Sequence, residues 1–189
     1  MNTRANVSMV GAFGAAAAAL AVGVAGCGSD DASPSPATSV ASTSAAATPL
    51  STDYTSLLLR PSDIDAGWEL KTAKPEAGGV TGVFGNSAGT EKVSSAIVVR
   101  ESSATAAAAV AAAKDAIARK AAGAAFSSVD VGTGGGILDG PGATTVVAFS
   151  EGRAFAILEF NSKSGERVPA DVAIEIARKQ DAAIKAGVR

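Results

Sequence analysis

A segment of 25 residues with almost no large apolar side chain limits where this chain can fold. From Gly28 to Thr52 the residues are almost only Ser, Thr, Ala, Pro, Gly and Asp. Such a segment cannot bury enough apolar surface to offset the conformational entropy that ordering costs, so we expect it to be disordered. A core must therefore form within residues 53–189, which are enough for a single α+β domain without disulfide bonds.

The residues before this segment have the pattern of a secretory signal peptide. Arg4 is the only charged side chain before Asp30, and the stretch from Val7 to Val24 is uncharged and rich in Ala, Gly and Val. An uncharged stretch that follows a positive residue is typical of a signal peptide. An uncleaved membrane-spanning helix is an alternative, although Ala and Gly are only weakly apolar and no positive cluster follows.

The uncharged stretch ends at Val24-Ala25-Gly26-Cys27, which contains the only cysteine of the chain. These four residues resemble the lipobox of bacterial lipoproteins, in which an aliphatic residue and two small residues precede a lipidated cysteine. The resemblance implies that residues 1–26 are removed and that Cys27 carries diacylglycerol on its sulfur and, in many bacteria, a third acyl chain such as palmitate. Two or three acyl chains would hold the protein on the extracytoplasmic face of the cell membrane. Cleavage nearby by an ordinary signal peptidase, with Cys27 incidental, is the alternative.

Residues 27–52 are then predicted to be a tether between the lipid and the folded domain. A flexible segment of this length reaches about 25 to 30 Å on average, which clears the lipid headgroups. Its Ser/Thr/Pro composition resembles that of O-glycosylated stalks, and an unmodified linker is the alternative.

The residue counts exclude several classes of function. The chain has no histidine, which removes the commonest metal ligand and the commonest general base. Its 16 Lys and Arg against 18 Asp and Glu form no block of one sign, so nucleic acid is not an expected partner. No metal or cofactor is expected. Aromatic residues make up only 4% of the chain, which predicts a modest core.

Hydrophobic periodicity and turn residues predict a mostly antiparallel sheet of about five or six strands with two helices packed on it. The predicted strands are residues 68–73, 81–84, 92–101, 126–131, 144–149 and 153–161, and the helices are 104–122 and 170–186, in the order β-β-β-α-β-β-β-α. Pro75 and the glycines at 78, 79, 85 and 89 are predicted to separate the first strands. Glu151-Gly152 predicts a tight hairpin.

The two helices are expected to bury one face each. Ser103 is the predicted N-cap of the first helix and Gly123 its end. The buried faces are predicted to comprise Val110, Ala113 and Ile117 in the first helix and Ala173, Ile176, Ala177, Gln180 and Ile184 in the second. Leu57, Leu58 and Trp68 are predicted to form a packing lid on the sheet.

The lipobox, the stalk, the Leu57-Leu58-Leu59…Gly67-Trp68 opening and the order of elements together resemble one group of bacterial proteins. These are small actinobacterial, mycobacterial-type envelope lipoproteins of the LpqN/LpqT type, which share a Mog1/PsbP-like domain. A looser similarity is to the extracellular sensor domain of PknH-like kinases, although the cysteine pair of those domains is missing here. The resemblance implies an envelope location and carries over no functional residue.

Two features are candidates for ligand contact. The glycine-rich run from Gly132 to Gly142 invites comparison with phosphate-binding loops, but it lacks Gly-Lys-Ser/Thr and the third glycine of GxGxxG. It is predicted to be a flexible loop, with Gly134, Gly135 and Gly136 as ligand-contact candidates. Glu159 interrupts an apolar strand and shares a face with Phe155 and Ile157, which predicts a semi-buried position or one near a cleft rim. It is a candidate for ligand contact, and an edge residue or a partner of a nearby lysine or arginine is the alternative.

The sequence favours a non-catalytic binding or interaction module held at the membrane by its lipid. No catalytic residue is identified, because the serines lack histidine partners, no Ser-x-x-Lys motif occurs and the carboxylates are scattered. The expected partners are the membrane, through the anchor, and an envelope protein, glycan or lipid. The alternatives are an envelope hydrolase that uses carboxylates and a carrier of lipid or glycolipid.

Overall fold

The chain folds into one antiparallel sheet with helices on both of its faces. The computed structural model describes residues 53–188. The strands are β1 Trp68–Glu76, β2 Gly79–Asn86, β3 Glu91–Val99, β4 Ser127–Ser128, β5 Thr133–Asp139, β6 Thr144–Glu151 and β7 Ala154–Ser162, in the order β1-β2-β3-β7-β6-β5-β4. The helices are α1 Pro61–Ile64, α2 Ser103–Lys120 and α3 Ala170–Gly187, preceded by a 3-10 turn at Thr55–Leu57. The α+β class is confirmed, with slightly more strands and helices than predicted.

The predicted signal peptide, the lipidated Cys27 and the tether lie outside the described residues. Within residues 53–188, no helix combines the length and apolar character needed to cross a membrane.

The two faces of the sheet are covered differently, as β6 shows. Val147 and Phe149 belong to the core beneath α3, whereas Ala148 between them packs beneath α2. The side under α3 is also covered by the segment Leu57–Leu59, all three of whose side chains are buried. This segment agrees with the predicted lid.

Helix α3 buries the predicted stripe in full. Its buried residues are Ala173, Ile176, Ala177, Gln180 and Ile184. Gln180 is the polar member: its Nε2 donates to the Leu57 carbonyl at 2.6 Å, and its Oε1 accepts from Ser95 Oγ at 2.9 Å. A buried amide satisfied in this way joins three separate segments of the chain.

Helix α2 begins one residue earlier than predicted. Ser102, not Ser103, is the N-cap, and its Oγ accepts from the backbone N–H of Thr105 at 3.2 Å. The helix ends before Gly123, whose φ of 85° a residue with a side chain rarely adopts. Because α2 packs on β5, β6 and β7 only, Val110 is buried, but Ala113 and Ile117 are half-buried.

The prediction of a flexible glycine-rich loop is wrong, since residues 133–139 form β5. A Cβ on Gly135 would lie 2.3 Å from the Val131 carbonyl oxygen, so only glycine fits there. The register shifts between Thr133 and Gly136, which indicates a bulge. The predicted strand 126–131 is reduced to Ser127–Ser128, because the chain turns after Ser128 and returns as β5, which pairs with β4.

Strands β1 and β2 are longer than predicted and include Pro75, Gly79 and Gly85. Pro75 is tolerated because β1 is an edge strand, where a missing N–H need not interrupt a ladder. Apart from half-buried Trp68, every residue of β1 is exposed, and its pairing is interrupted by a bulge between Leu70 and Thr72.

Candidate functional site

A cleft of about 390 Å³ lies at one end of the sheet, where β1 and β3 begin and β7 ends. The start of α3 and the end of α1 form its walls. Its lining residues are Ile64, Asp65, Trp68, Glu91, Lys92, Val93, Phe160, Asn161, Ser162, Ser164, Glu166, Arg167, Val168, Pro169, Val172 and Ile176.

The inner part of the cleft is apolar and rigid. Val93, Phe160 and Ile176 line it with only 2%, 1% and 5% of their surfaces exposed, and all three belong to the main core. A surface built on core residues keeps its shape, because neighbouring side chains fix each rotamer.

Two larger apolar side chains remain accessible at the cleft. Val172, in the first turn of α3, is 42% exposed, and Trp68 is half-buried. An exposed valine beside a tryptophan, with polar groups around them, has the composition of a binding site. Trp68 packs partly against the core, and the rest of its surface and the exposed surface of Val172 remain open to a ligand.

Polar side chains surround this apolar surface, and some of them are held in place by the protein. The guanidinium of Arg167 donates to the carbonyl oxygens of Gly140 at 2.9 Å and Gly142 at 3.2 Å. Arg167 therefore ties the β5–β6 connection to the segment before α3. Asn86 Nδ2 donates to Glu91 Oε2 at 3.2 Å, which orients that carboxylate at the start of β3.

Glu159 lies on the opposite face of the sheet, the one that carries α2. It pairs with Ser94 on β3 and Val146 on β6, and it is half-buried, as the strand alternation predicted. Its Oε1 accepts from Asn161 Nδ2 at 2.9 Å, and Asn161 Oδ1 accepts from Thr144 Oγ1 at 3.0 Å. Glu159 is not among the lining residues of the cleft, although its partner Asn161 is.

The three candidate glycines lie two strands away from Glu159, because β6 separates β5 from β7. Lys114 Nζ donates to the Gly134 carbonyl at 2.8 Å, and Gly135 and Gly136 are buried against the backbone at Val131 and the side chain of Phe126. These contacts explain the glycines by packing. The structure does not bring them together with Glu159 or with the cleft.

Asp181, on α3, is a buried polar group that the sequence did not single out. Its Oδ1 has no hydrogen-bond partner among the described residues, and it lies 3.0 Å from the Cβ position of Gly132. Burial, and after it the negative charge of Glu151, raises the pKa of Asp181, while Lys185 opposes the shift. Within residues 53–188, no three Cys, Asp or Glu side chains are grouped as metal ligands.

The cleft was missed because its parts come from three separate segments of the chain, residues 64–68, 91–93 and 160–176. One signal was present: Val172 lies four residues before Ile176, so it continues one side of the apolar stripe of α3 toward the start of the helix. A scan against protein-family models, a search of curated proteins and a search of solved structures each found no match for this chain.

Proposed function

We propose that this protein is a lipid-anchored envelope lipoprotein whose folded domain binds a ligand in the cleft without turning it over. The observation that carries the proposal is a cleft in which half-buried Trp68 and exposed Val172 share the lining with the buried apolar residues Val93, Phe160 and Ile176. A ligand with an apolar group would cover this pair, and polar atoms of the ligand would meet the carboxylates, amide and hydroxyls around it.

The carboxylate hydrolase is the less supported alternative. The sequence reasoning placed that chemistry on Glu159, and Glu159 lies on the other face of the sheet, where Asn161 already uses one of its oxygens. A hydrolase would have to use the carboxylates of the cleft instead.

The single tryptophan gives a direct test of the cleft. Trp68 fluorescence of the full chain is recorded while lipid, glycan and peptide fractions of the envelope are added separately. We expect one fraction to shift the emission, because a ligand in the cleft removes water from the indole. Val172→Asp should abolish the shift, since it places a charge against the apolar part of the ligand.

Leu70→Asp is the matched control, because Leu70 is exposed to a similar degree, 38%, but does not line the cleft. If no fraction shifts the emission, or if Val172→Asp and Leu70→Asp behave alike, the cleft is not the binding site.

The anchor is tested at Cys27 by partitioning between aqueous and detergent phases. Cys27→Ala should move the protein from the detergent phase to the aqueous phase, since the acyl chains are lost. Gly26→Ala keeps a small residue before the cysteine and should leave partitioning unchanged. A Cys27→Ala protein that still enters the detergent phase with the mature size would refute lipidation.

A further inference from the structure

A second pocket, at the opposite end of the strands, contains two arginines. Arg100 follows β3, and Arg153 lies in the turn between β6 and β7. With Tyr54, Val99, Glu101 and Thr105 they line a pocket of about 480 Å³. The backbone N–H of Arg100 donates to the Arg153 carbonyl at 2.7 Å, so the two residues are held side by side.

Both guanidinium groups keep their charge available. The four ion pairs found among residues 53–188 include neither arginine. Arg100 lies 5.5 Å from the centroid of the Phe155 ring, and this contact orients the guanidinium without neutralising it. Planar guanidinium groups bind phosphate oxygens through paired hydrogen bonds. An arginine that is in no ion pair with a carboxylate can form these bonds.

The pocket lies at the end of the domain where the described chain begins. The described chain begins at Asp53, and Tyr54 lines the pocket, so the first described residues lie at this end of the domain. The cleft contains Glu91 and Lys92, at the other end of β3. A nine-residue strand such as β3 is about 27 Å long, which separates the two sites by most of the domain.

We propose that Arg100 and Arg153 bind the phosphate groups of anionic lipid headgroups and so dock the tether end of the domain on the membrane. The cleft then faces away from the bilayer, toward ligands of the envelope. Glu101 weakens the site, since its charge has the sign of the phosphate. The positive end of α2, which begins at Ser103, adds to the attraction. Only the choice of membrane as the phosphate source rests on the proposed anchor.

The test uses the full lipidated chain in nanodiscs of phosphatidylcholine, with or without phosphatidylglycerol. Hydrogen–deuterium exchange is followed in residues 99–106 and 151–155. We expect slower exchange in both segments with phosphatidylglycerol. Arg100→Gln/Arg153→Gln should lower the ratio of docked to free domain about thirtyfold, at roughly fivefold for each basic residue near an anionic surface. Glu101→Gln should raise that ratio.

Two further variants separate docking from folding and from net charge. Arg153→Gln alone keeps the contact between Arg100 and Phe155 and should still weaken docking about fivefold. Arg119→Gln/Lys163→Gln removes the same total charge elsewhere on the surface and should leave protection unchanged. Equal protection in both lipids, or protection that survives Arg100→Gln/Arg153→Gln, would overturn the proposal.

A titration with inorganic phosphate, followed by NMR of the chain in phosphatidylcholine nanodiscs, distinguishes the source of the anion. Shifts confined to residues 100–105 and 153, together with slower exchange on phosphatidylglycerol, support the headgroup site. Shifts without that protection mean that the pocket takes free anions, and the docking proposal fails. If Cys27 is not lipidated, the mature chain is added to vesicles of the same lipids, so the anchor and the arginine site fail separately.

Discussion

The two faces of the sheet differ in how much large apolar side chain they bury. The face under α3 and the segment Leu57–Leu59 holds an extended core that runs from Val80 on β2 to Val147 on β6. The face under α2 holds a small cluster in which Val110, Ala148 and Phe155 are the buried members. Burial of large side chains dominates folding energy, so the α3 face carries most of the stability.

The α2 face of the sheet is only partly covered by a helix. On the α2 face, strands β1, β2 and β3 have no helix above them. Their side chains there are small or polar, and most are half-exposed: Thr72, Lys74, Thr81, Val83, Ser94 and Ala96. A sheet can leave one face to solvent when that face is polar, which is common in antiparallel sheets.

The largest effect should come from a large-to-small change in the α3 core. Phe149, on β6, has none of its surface exposed. Phe149→Ala should lower the free energy of unfolding by about 3 to 5 kcal/mol, through lost transfer energy and the cavity left behind. Urea denaturation of the chain measures this loss in the free energy of unfolding.

Phe155→Ala is the matched change on the α2 face, because Phe155 lies beside Phe149 on the neighbouring strand and points the other way. Phe155→Ala should lower the free energy of unfolding by about 1 kcal/mol less than Phe149→Ala, or by still less, since Phe155 is 7% exposed and only Val110 and Ala148 are buried with it. Equal losses at the two positions would contradict the division of stability between the faces.

A medium effect should follow from breaking the polar link inside the α3 core. Gln180→Leu leaves the Leu57 carbonyl and Ser95 Oγ buried without their partner, which should cost about 1 to 3 kcal/mol. Adding Ser95→Ala removes one of the orphaned groups, so the double variant should regain part of the loss. A double variant that is less stable than Gln180→Leu would count against this account.

The smallest expected effect is a stabilisation, and it comes from removing the charge of Asp181. Its pKa is raised in the folded state, so its contribution to stability is fully present below the unfolded value of 3.8 and is lost as pH rises through the folded value. Asp181→Asn should therefore raise the melting temperature slightly near pH 7 and hardly at all near pH 3. Thermal unfolding at both pH values measures the difference.

Asp171→Asn is the control for that measurement, because Asp171 lies in the first turn of the same helix and favours its dipole. It should lower the melting temperature near pH 7. If both variants stabilise the domain equally, general charge reduction explains the effect rather than the burial of Asp181.

The parts of the fold with a clear periodic pattern were predictable from the sequence. The stripe of α3 and the hairpin around Gly152 were both predicted. In the structure, Glu151 pairs with Ala154 across a two-residue turn. Strand β5 was not, since glycine carries no side chain from which alternation could be read. Its place in the sheet depends on close backbone contacts, such as that of Gly135 with Val131, which appear only in three dimensions.

The candidate site was less predictable than the fold. Glu159 attracted attention because it broke an apolar run, and the structure explains that break by its position between Ser94 and Val146 on the sparsely covered face. Trp68 was assigned to a packing lid, and it does contact the core. Its second role, at the cleft, depends on how β3, β7 and the start of α3 come together around it, which no local pattern reveals.

Strand β1 has a consequence for how the protein behaves when it is concentrated. A nine-residue edge strand presents unpaired backbone groups, which could recruit the edge of a neighbouring copy. The bulge after Leu70 distorts the spacing of those groups, and Pro75 supplies no N–H. Lys71 and Lys74, each paired with a glutamate of the same strand, place charged side chains along this edge, and a pairing strand would have to remove water from them. An edge so interrupted is a poor template for intermolecular pairing, which favours separate molecules even at high concentration.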